Sequence, residues 1–167
     1  MKPEAIIADM DGTLCDVSGI RHLLLGPGSY DAFHRASIDC PPHQWVVDAV
    51  TAEHAAGRAV LVVTARSARY RDITAMWLAL HGVPSASMFM RADKDSRPDR
   101  EVKAEILAKI RQRWTVVHAW DDRPEIVELW ESEGIPVTVV PGWVETVSFP
   151  PDSPAAASID ATPRRNP

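Results

Sequence analysis

Short apolar runs alternate with stretches of helical period along most of the chain. The runs at Glu4–Asp9, Ala59–Thr64, Met88–Met90, Thr115–Trp120 and Pro136–Val140 predict strands. Between them, Trp45–Ala56 predicts a helix ended by Gly57. Ile73, Met76, Trp77 and Leu80 mark the inward face of a second helix, closed by Gly82. Val102, Ile106 and Ile110 mark a third. A fourth starts with Pro124 at its first position, with Asp122 and Glu125 as a capping pair, and ends at Gly134. The run at 59–64 is apolar on both faces, as a central parallel strand must be. Strands alternating with helices imply an α/β fold, a doubly wound, five-stranded parallel sheet in three α/β/α layers with right-handed crossovers.

One domain over residues 1–145 accounts for these elements. Residues 15–42 interrupt the alternation with Gly19, Gly26-Pro27-Gly28 and Pro41-Pro42. They read as a small insertion with short helical turns at Arg21–Leu25 and Tyr30–Phe33. Placed straight after the first strand, it could cover the site but is too short for a large lid domain. Residues 146–167 are proline- and alanine-rich, polar and poor in core residues, and read as a surface-draped tail.

Composition narrows the picture. The chain has 167 residues, 46% hydrophobic and 25% charged, enough for one full core. The formal net charge of −5 argues against a broad electrostatic footprint on a nucleic-acid duplex, though not against a local pocket for one phosphate. No apolar run approaches the roughly 18 residues of a membrane span. The first strand follows Met1-Lys2-Pro3 at once, and Cys15 and Cys40 make no metal-type pair. A reduced, cytoplasmic protein is the expectation.

Ligands of open α/β sheets bind at the carboxyl ends of the strands. Asp9/Asp11, Thr64/Arg66 and Asp121/Asp122 all fall at or just past such ends, and Lys103, early on a helix, can reach the same rim. Mg²⁺ takes oxygen ligands and keeps several waters, so two or three carboxylates suffice. Asp9 with Asp121 and Asp122 would supply them, and Asp11 belongs to the candidate metal set. A carboxylate can also attack phosphorus, which makes Asp9 the candidate nucleophile. Asp11 could protonate the leaving oxygen and then deprotonate water, a role for which crowding among acids predicts a raised pKa. Thr64 and Lys103 could hold the phosphoryl oxygens.

Asp9-Met10-Asp11-Gly12-Thr13-Leu14, Thr64, Lys103 and Asp121-Asp122, in that order, resemble the four motifs of the haloacid-dehalogenase-like (HAD) phosphohydrolases. More narrowly, Val63-Thr64-Ala65-Arg66, Phe89-Met90-Arg91, Asp99 to Leu107 and Asp121 to Trp130 resemble the phosphatase domain of phage-type polynucleotide kinase/3′-phosphatases. The resemblance implies Mg²⁺-dependent removal of a 3′-phosphate from DNA or RNA ends through an aspartyl-phosphate. It adds Ala65, Arg66, Arg21 and Asp99 to the phosphate-binding set of Thr64 and Lys103. Ala65 stands where the family usually has glycine, and Gly142-Trp143 where it has a glycine-acid-aromatic ending. No Gly-x-x-x-x-Gly-Lys-Ser/Thr occurs, so a kinase or a ligase is expected as a separate partner.

Other readings stay open at this point. The substrate could be a free nucleotide or another small ester, or the domain could be a catalytically idle scaffold. Arg69, Arg71, Arg91, Arg97 and Arg100 fit a solvated face better than a polyanion rim. Trp77 and Trp130 have core spacing, His118 reads as a buried core residue, and Trp143 is the candidate substrate-side aromatic.

Overall fold

The structure is a computed structural model that describes residues 1–26 and 29–142. Trp143 and the expected tail at 146–167 lie outside the described residues. Five strands, β1 (Glu4–Ala8), β2 (Ala59–Ser67), β3 (Ser87–Arg91), β4 (Thr115–Asp121) and β5 (Val137–Val139), form one parallel sheet in the order β3-β2-β1-β4-β5. Among the described residues five α-helices accompany them: α1 (Ser29–Ala36), α2 (Gln44–Ala55), α3 (Arg71–Leu80), α4 (Asp99–Ile110) and α5 (Pro124–Ser132).

The two-residue period of the strands divides the core. Ile6 and Ala8 of β1, with Val60 and Val62 of β2, pack on Val46, Val47 and Val50 of α2 and on Trp77 and Leu78 of α3. Ala5, Ile7, Leu61 and Val63 point the other way, onto Val102, Ile106 and Ile110 of α4 and Ile126, Leu129 and Trp130 of α5. The sheet therefore lies between two helical layers, the expected α/β/α arrangement. β1 is central, with β2 on one side and β4 on the other. The chain reverses its winding there and leaves a crevice beyond the carboxyl ends of β1 and β4.

Several boundaries differ from the sequence reading. β2 runs on to Ser67, because its ladder with β3 shifts register between Thr64 and Ser67 and carries Arg66 inward. α4 begins at Asp99, a full turn before Val102, the first of the residues that mark its inward face. The buried face of α3 is Thr74, Trp77 and Leu78, while Met76 and Leu80 are exposed, against expectation. The indole N–H of Trp77 donates to the Cys40 carbonyl at 2.8 Å, which fixes the rotation of the helix. His118 is only half-buried; its Nε2 meets Thr138 Oγ1 at 2.8 Å and its ring lies on Trp120. Asp122 does not cap α5: the N-cap is Arg123, and Pro124 does occupy the first turn.

The insertion holds a 3-10 turn (Ser18–Leu25), the two-turn helix α1 and a second 3-10 turn (Ser37–Asp39). Asp31 of α1 accepts from Tyr70 Oη at 3.0 Å and from Arg35 Nε at 2.8 Å, which ties the insertion to the segment after β2. Among the described residues no helix is long and apolar enough to cross a membrane.

Candidate active site

At the end of β1 the chain folds back on itself. Asp9 N–H donates to the Trp120 carbonyl at 3.0 Å, and Cys15 N–H to the Met10 carbonyl at 2.8 Å. The reversal requires Gly12 at φ +88°, where a Cβ would also lie 2.2 Å from Asp122 Oδ2. Gly142, following β5, approaches so closely that its own Cβ would lie 1.8 Å from the Gly12 carbonyl oxygen. Two glycines 130 positions apart thus let three strand ends converge.

Convergence gathers the acids. Asp9, Asp121 and Asp122 are all buried, and each offers a carboxylate oxygen within 4.8 Å of the others. Lys103, buried on the first turns of α4, donates to Asp9 Oδ1 at 2.7 Å and to Asp121 Oδ2 at 2.8 Å. Asp121 also accepts from the Trp130 indole at 3.2 Å and from Arg123 N–H at 3.2 Å. Thr13 Oγ1 donates to Asp122 Oδ1 at 3.1 Å, whereas Asp122 Oδ2 is buried with no hydrogen-bond partner. Three carboxylates against one ammonium leave an excess of negative charge, and one oxygen lacks a donor. This all-oxygen set fits a hard divalent cation such as Mg²⁺.

The same crowding sets the protonation states. Burial pushes the Asp9 carboxyl well above its ordinary value; Lys103 works against this, and Asp121 and Asp122 add to it. Asp122 is raised to about 6, by burial first and then by Asp121. Burial disfavours the Lys103 ammonium, but Asp121 and Asp9 outweigh it and raise its pKa.

Asp11 stands apart from the acid cluster. Arg66, 1% exposed, grips it with two donors, Nε at 2.8 Å from Oδ2 and Nη2 at 2.5 Å from Oδ1, and spends Nη1 on Thr74 Oγ1 at 3.1 Å. Burial by itself would raise the Asp11 carboxyl, but the charge and hydrogen bonds of Arg66 more than offset it, and the pKa lies below the ordinary value. The raised pKa expected from sequence is therefore corrected: the nearest charge to Asp11 is a cation, not another acid. Arg66, expected to hold phosphate, has its guanidinium committed to Asp11 and Thr74.

A cavity of about 750 Å³ opens over these groups, lined by Asp9, Asp11, Thr64, Ala65, Arg66, Asp99 and Lys103 among others. Thr64 Oγ1 accepts the Arg66 N–H at 3.2 Å, and the Ala65 carbonyl accepts Arg91 Nε at 2.9 Å. Asp99 accepts from both Arg91 and Arg123, so its carboxylate organises two cations. Arg21, on the 3-10 turn of the insertion, is not among the cavity-lining residues. Of the candidate rim arginines, Arg69, Arg91 and Arg97 do line the cavity, and each faces an acid: Asp93, Asp99, and Asp95 with Glu105. Arg71 and Arg100 lie outside it. Sequence reasoning missed Arg123, Lys94, Tyr30, His34 and Tyr70 as cavity-lining residues, and Thr13 and Trp130 as partners of the acids. No local spacing signals these contacts.

Replacing Arg66 with Lys tests the grip on Asp11. One ammonium cannot reproduce a two-pronged contact, so kcat/KM should fall by about tenfold or more. A carboxyl with a depressed folded pKa stabilises above its unfolded pKa and loses that contribution as pH falls through the folded one. The variant, with less depression, should therefore unfold in acid at a higher pH than the parent. Unchanged kinetics and an unchanged acid midpoint would place Arg66 outside the machinery.

Comparison with known proteins agrees with this geometry. The family model for the polynucleotide kinase PNKP phosphatase domain matches residues 3–142. Among solved structures, a chain of the Pnkp1/Rnl/Hen1 RNA repair complex superposes with a TM-score of 0.73 at 27% identity, covering 83% of this chain and 42% of that one. A chain of another Pnkp1/Rnl/Hen1 complex gives 0.71 at 28%, covering 83% and 46%. The protein thus spans less than half the length of these neighbours. The class C acid phosphatase from Bacillus anthracis with tungstate bound shares the fold, with a TM-score of 0.64 at 18% identity over 85% of this chain and 68% of that one. With the sheet order, the clustered strand-end acids and a family match across nearly all described residues in agreement, the chain belongs to the HAD phosphatases, in the family of the PNKP phosphatase domain.

Proposed function

We propose that the protein is a Mg²⁺-dependent phosphomonoesterase that removes the 3′-phosphate from nucleic-acid ends, with Asp9 as its nucleophile. The observation that carries this reading is the buried group Asp9, Asp121 and Asp122, with its unpartnered Asp122 oxygen, beside a cavity that Asp9 itself lines. Asp9, Asp121 and Asp122 would hold the metal, which supplies Lewis-acid charge neutralisation to the phosphoryl oxygens.

An Asp9 oxygen attacks phosphorus while the bond to the sugar oxygen breaks, and that oxygen leaves with a proton from Asp11. Asp11 then takes a proton from water, whose oxygen attacks the same phosphorus, breaks the bond to Asp9 and releases phosphate. The cation grip of Arg66 suits the second half, in which Asp11 must be a base. The negative charge of the arriving ester acts in the opposite sense and raises the Asp11 carboxyl for the first half. Lys103 and the Thr64 hydroxyl, both lining the cavity, stabilise the oxygens on which charge spreads.

The nucleic-acid 3′ end as substrate is supported by the family match and by the RNA repair complex in which a 27%-identical chain is found. The same complex supports a kinase or a ligase as working partner. The test is phosphate release from a 3′-phosphorylated oligonucleotide and from 3′-mononucleotides, with Mg²⁺ and with chelator. Mg²⁺-dependent turnover favouring the oligonucleotide is expected. Much better turnover of mononucleotides would overturn the end-repair role. No metal-dependent hydrolysis of any ester would leave a scaffold.

A further inference from the structure

The insertion contributes a second kind of surface to the cavity. Tyr30 and His34, successive turns of α1, line it together with Tyr70, and so do Arg69 and Lys94 at its rim. Tyr30 is 69% exposed, an aromatic ring standing open in a cavity that also contains the catalytic carboxylates. His34 is its opposite, 8% exposed, packed against Tyr70 with ring centres 4.6 Å apart and against Phe33 at 5.2 Å. Its Nδ1 is nevertheless buried with no hydrogen-bond partner.

The position of this patch matters as much as its chemistry. Asp11 and Arg66 line the same cavity as His34, and the charges of both act on its imidazole. Asp11 is the group assigned to hand its proton to the departing oxygen, so the aromatic patch lies on the leaving-group side of phosphorus. What leaves from a 3′-end is a nucleoside, which carries a flat π-face, a hydrogen-bonding edge and a neighbouring phosphodiester.

We propose that Tyr30 and His34 form a leaving-group subsite for the terminal nucleobase, in which Tyr30 stacks on the base and the packed His34 ring backs the platform. This rests on the 3′-end reading above and gives it a specificity element. Burial pushes the imidazole down to about 4, with Asp11 opposing the effect and Arg66 adding to it, so the ring is neutral at working pH and adds no charge beside Asp11. Asp31 supports the shelf from behind, holding Tyr70 Oη at 3.0 Å and Arg35 Nε at 2.8 Å. Arg69 and Lys94 are placed for the next phosphate along the strand.

The test compares kcat/KM on a 3′-phosphorylated oligonucleotide with kcat/KM on the same strand bearing an abasic terminal sugar. The parent protein should prefer the intact end by about tenfold. Tyr30→Ala should bring that ratio close to one, while Tyr30→Phe, and His34→Phe, which retains the backing ring, should keep it. Because Tyr30 is exposed, its substitution leaves the core untouched. Equal rates on intact and abasic ends would overturn the subsite while the 3′-end reading stood, as would a preference that survives Tyr30→Ala. A base-dependent rate on free 3′-mononucleotides with none on oligonucleotides would keep the subsite and overturn the nucleic-acid substrate. Hydrolysis of small esters alone would overturn both.

Discussion

Asp9→Asn should abolish turnover, lowering kcat by about 10⁴-fold or more, as loss of a nucleophile does elsewhere, while the protein stays folded. The substitution is nearly isosteric, and what holds residue 9 in place is mostly main chain: its N–H on the Trp120 carbonyl, and its own carbonyl accepting Leu14 N–H at 3.3 Å. An amide oxygen can still accept from Lys103. The charge that disappears is one that burial already opposes and that Asp121 and Asp122 repel. The melting temperature should therefore stay within a few degrees of the parent or rise. An amide cannot carry the phosphoryl group, so acid-quenched protein should hold labelled phosphate in the parent and none in the variant. Parent-like rates, or equal labelling of both proteins, would overturn the covalent route through Asp9.

What could be read from the sequence, and what could not, divides by the range of the interaction. The sheet was legible because each strand carries its own signal: β1 and β2 are apolar runs, and the acids or threonine that end them sit where a parallel sheet binds ligands. Asp9, Thr64, Lys103 and Asp121 needed only strand-end placement and the order of the motifs. The phase of α3 was not legible, since Ile73, Met76, Trp77 and Leu80 have helical spacing whichever way the helix turns. The rotation is set by a carbonyl of the insertion, Cys40, which receives the Trp77 indole.

The electrostatic partners were hidden for the same reason. Arg66 and Asp11 are 55 residues apart, and the register shift after Thr64 that turns Arg66 inward depends on how β3 meets β2. Thr13 and Asp122 are 109 apart, and Gly142 meets Gly12 across the whole domain. Sequence shows that acids gather at one rim; it does not show that Lys103 bridges Asp9 and Asp121 while Arg66 takes Asp11. That pairing sets Asp11 apart from the three clustered carboxylates. Asp11 and Asp9 are two residues apart in the chain, yet burial and neighbours shift their pKa values in opposite directions.

Lys103→Met should be the most damaging substitution to the site as a whole, because the role proposed for the lysine in chemistry adds to its buried ion pairs. Its ammonium is the buried bridge between Asp9 and Asp121, with side-chain exposures of 2% for the lysine and 7% and 0% for the acids. Methionine fills similar volume, so packing around α4 should survive and the change is mainly one of charge. Removing one partner from a buried ion group typically costs about 3–5 kcal/mol, since the carboxylates left behind keep their desolvation penalty and lose their compensation. The metal-free variant should melt well below the metal-free parent. Added Mg²⁺ should recover more stability in the variant than in the parent, as positive charge among Asp9, Asp121 and Asp122 would replace what the lysine supplied. Activity should not follow stability back: loss of a preorganised donor to the phosphoryl oxygens should lower kcat by about 10²- to 10³-fold even at saturating Mg²⁺. Lys103→Arg should not restore it, since a planar guanidinium does not fit the narrow slot that an ammonium fills between Asp9 and Asp121. Thermal melts with and without chelator, beside steady-state rates, separate the two roles. If stability falls but kcat stays within a few-fold of the parent, Lys103 is a structural counter-ion alone; if neither moves, the buried bridge does not govern the site.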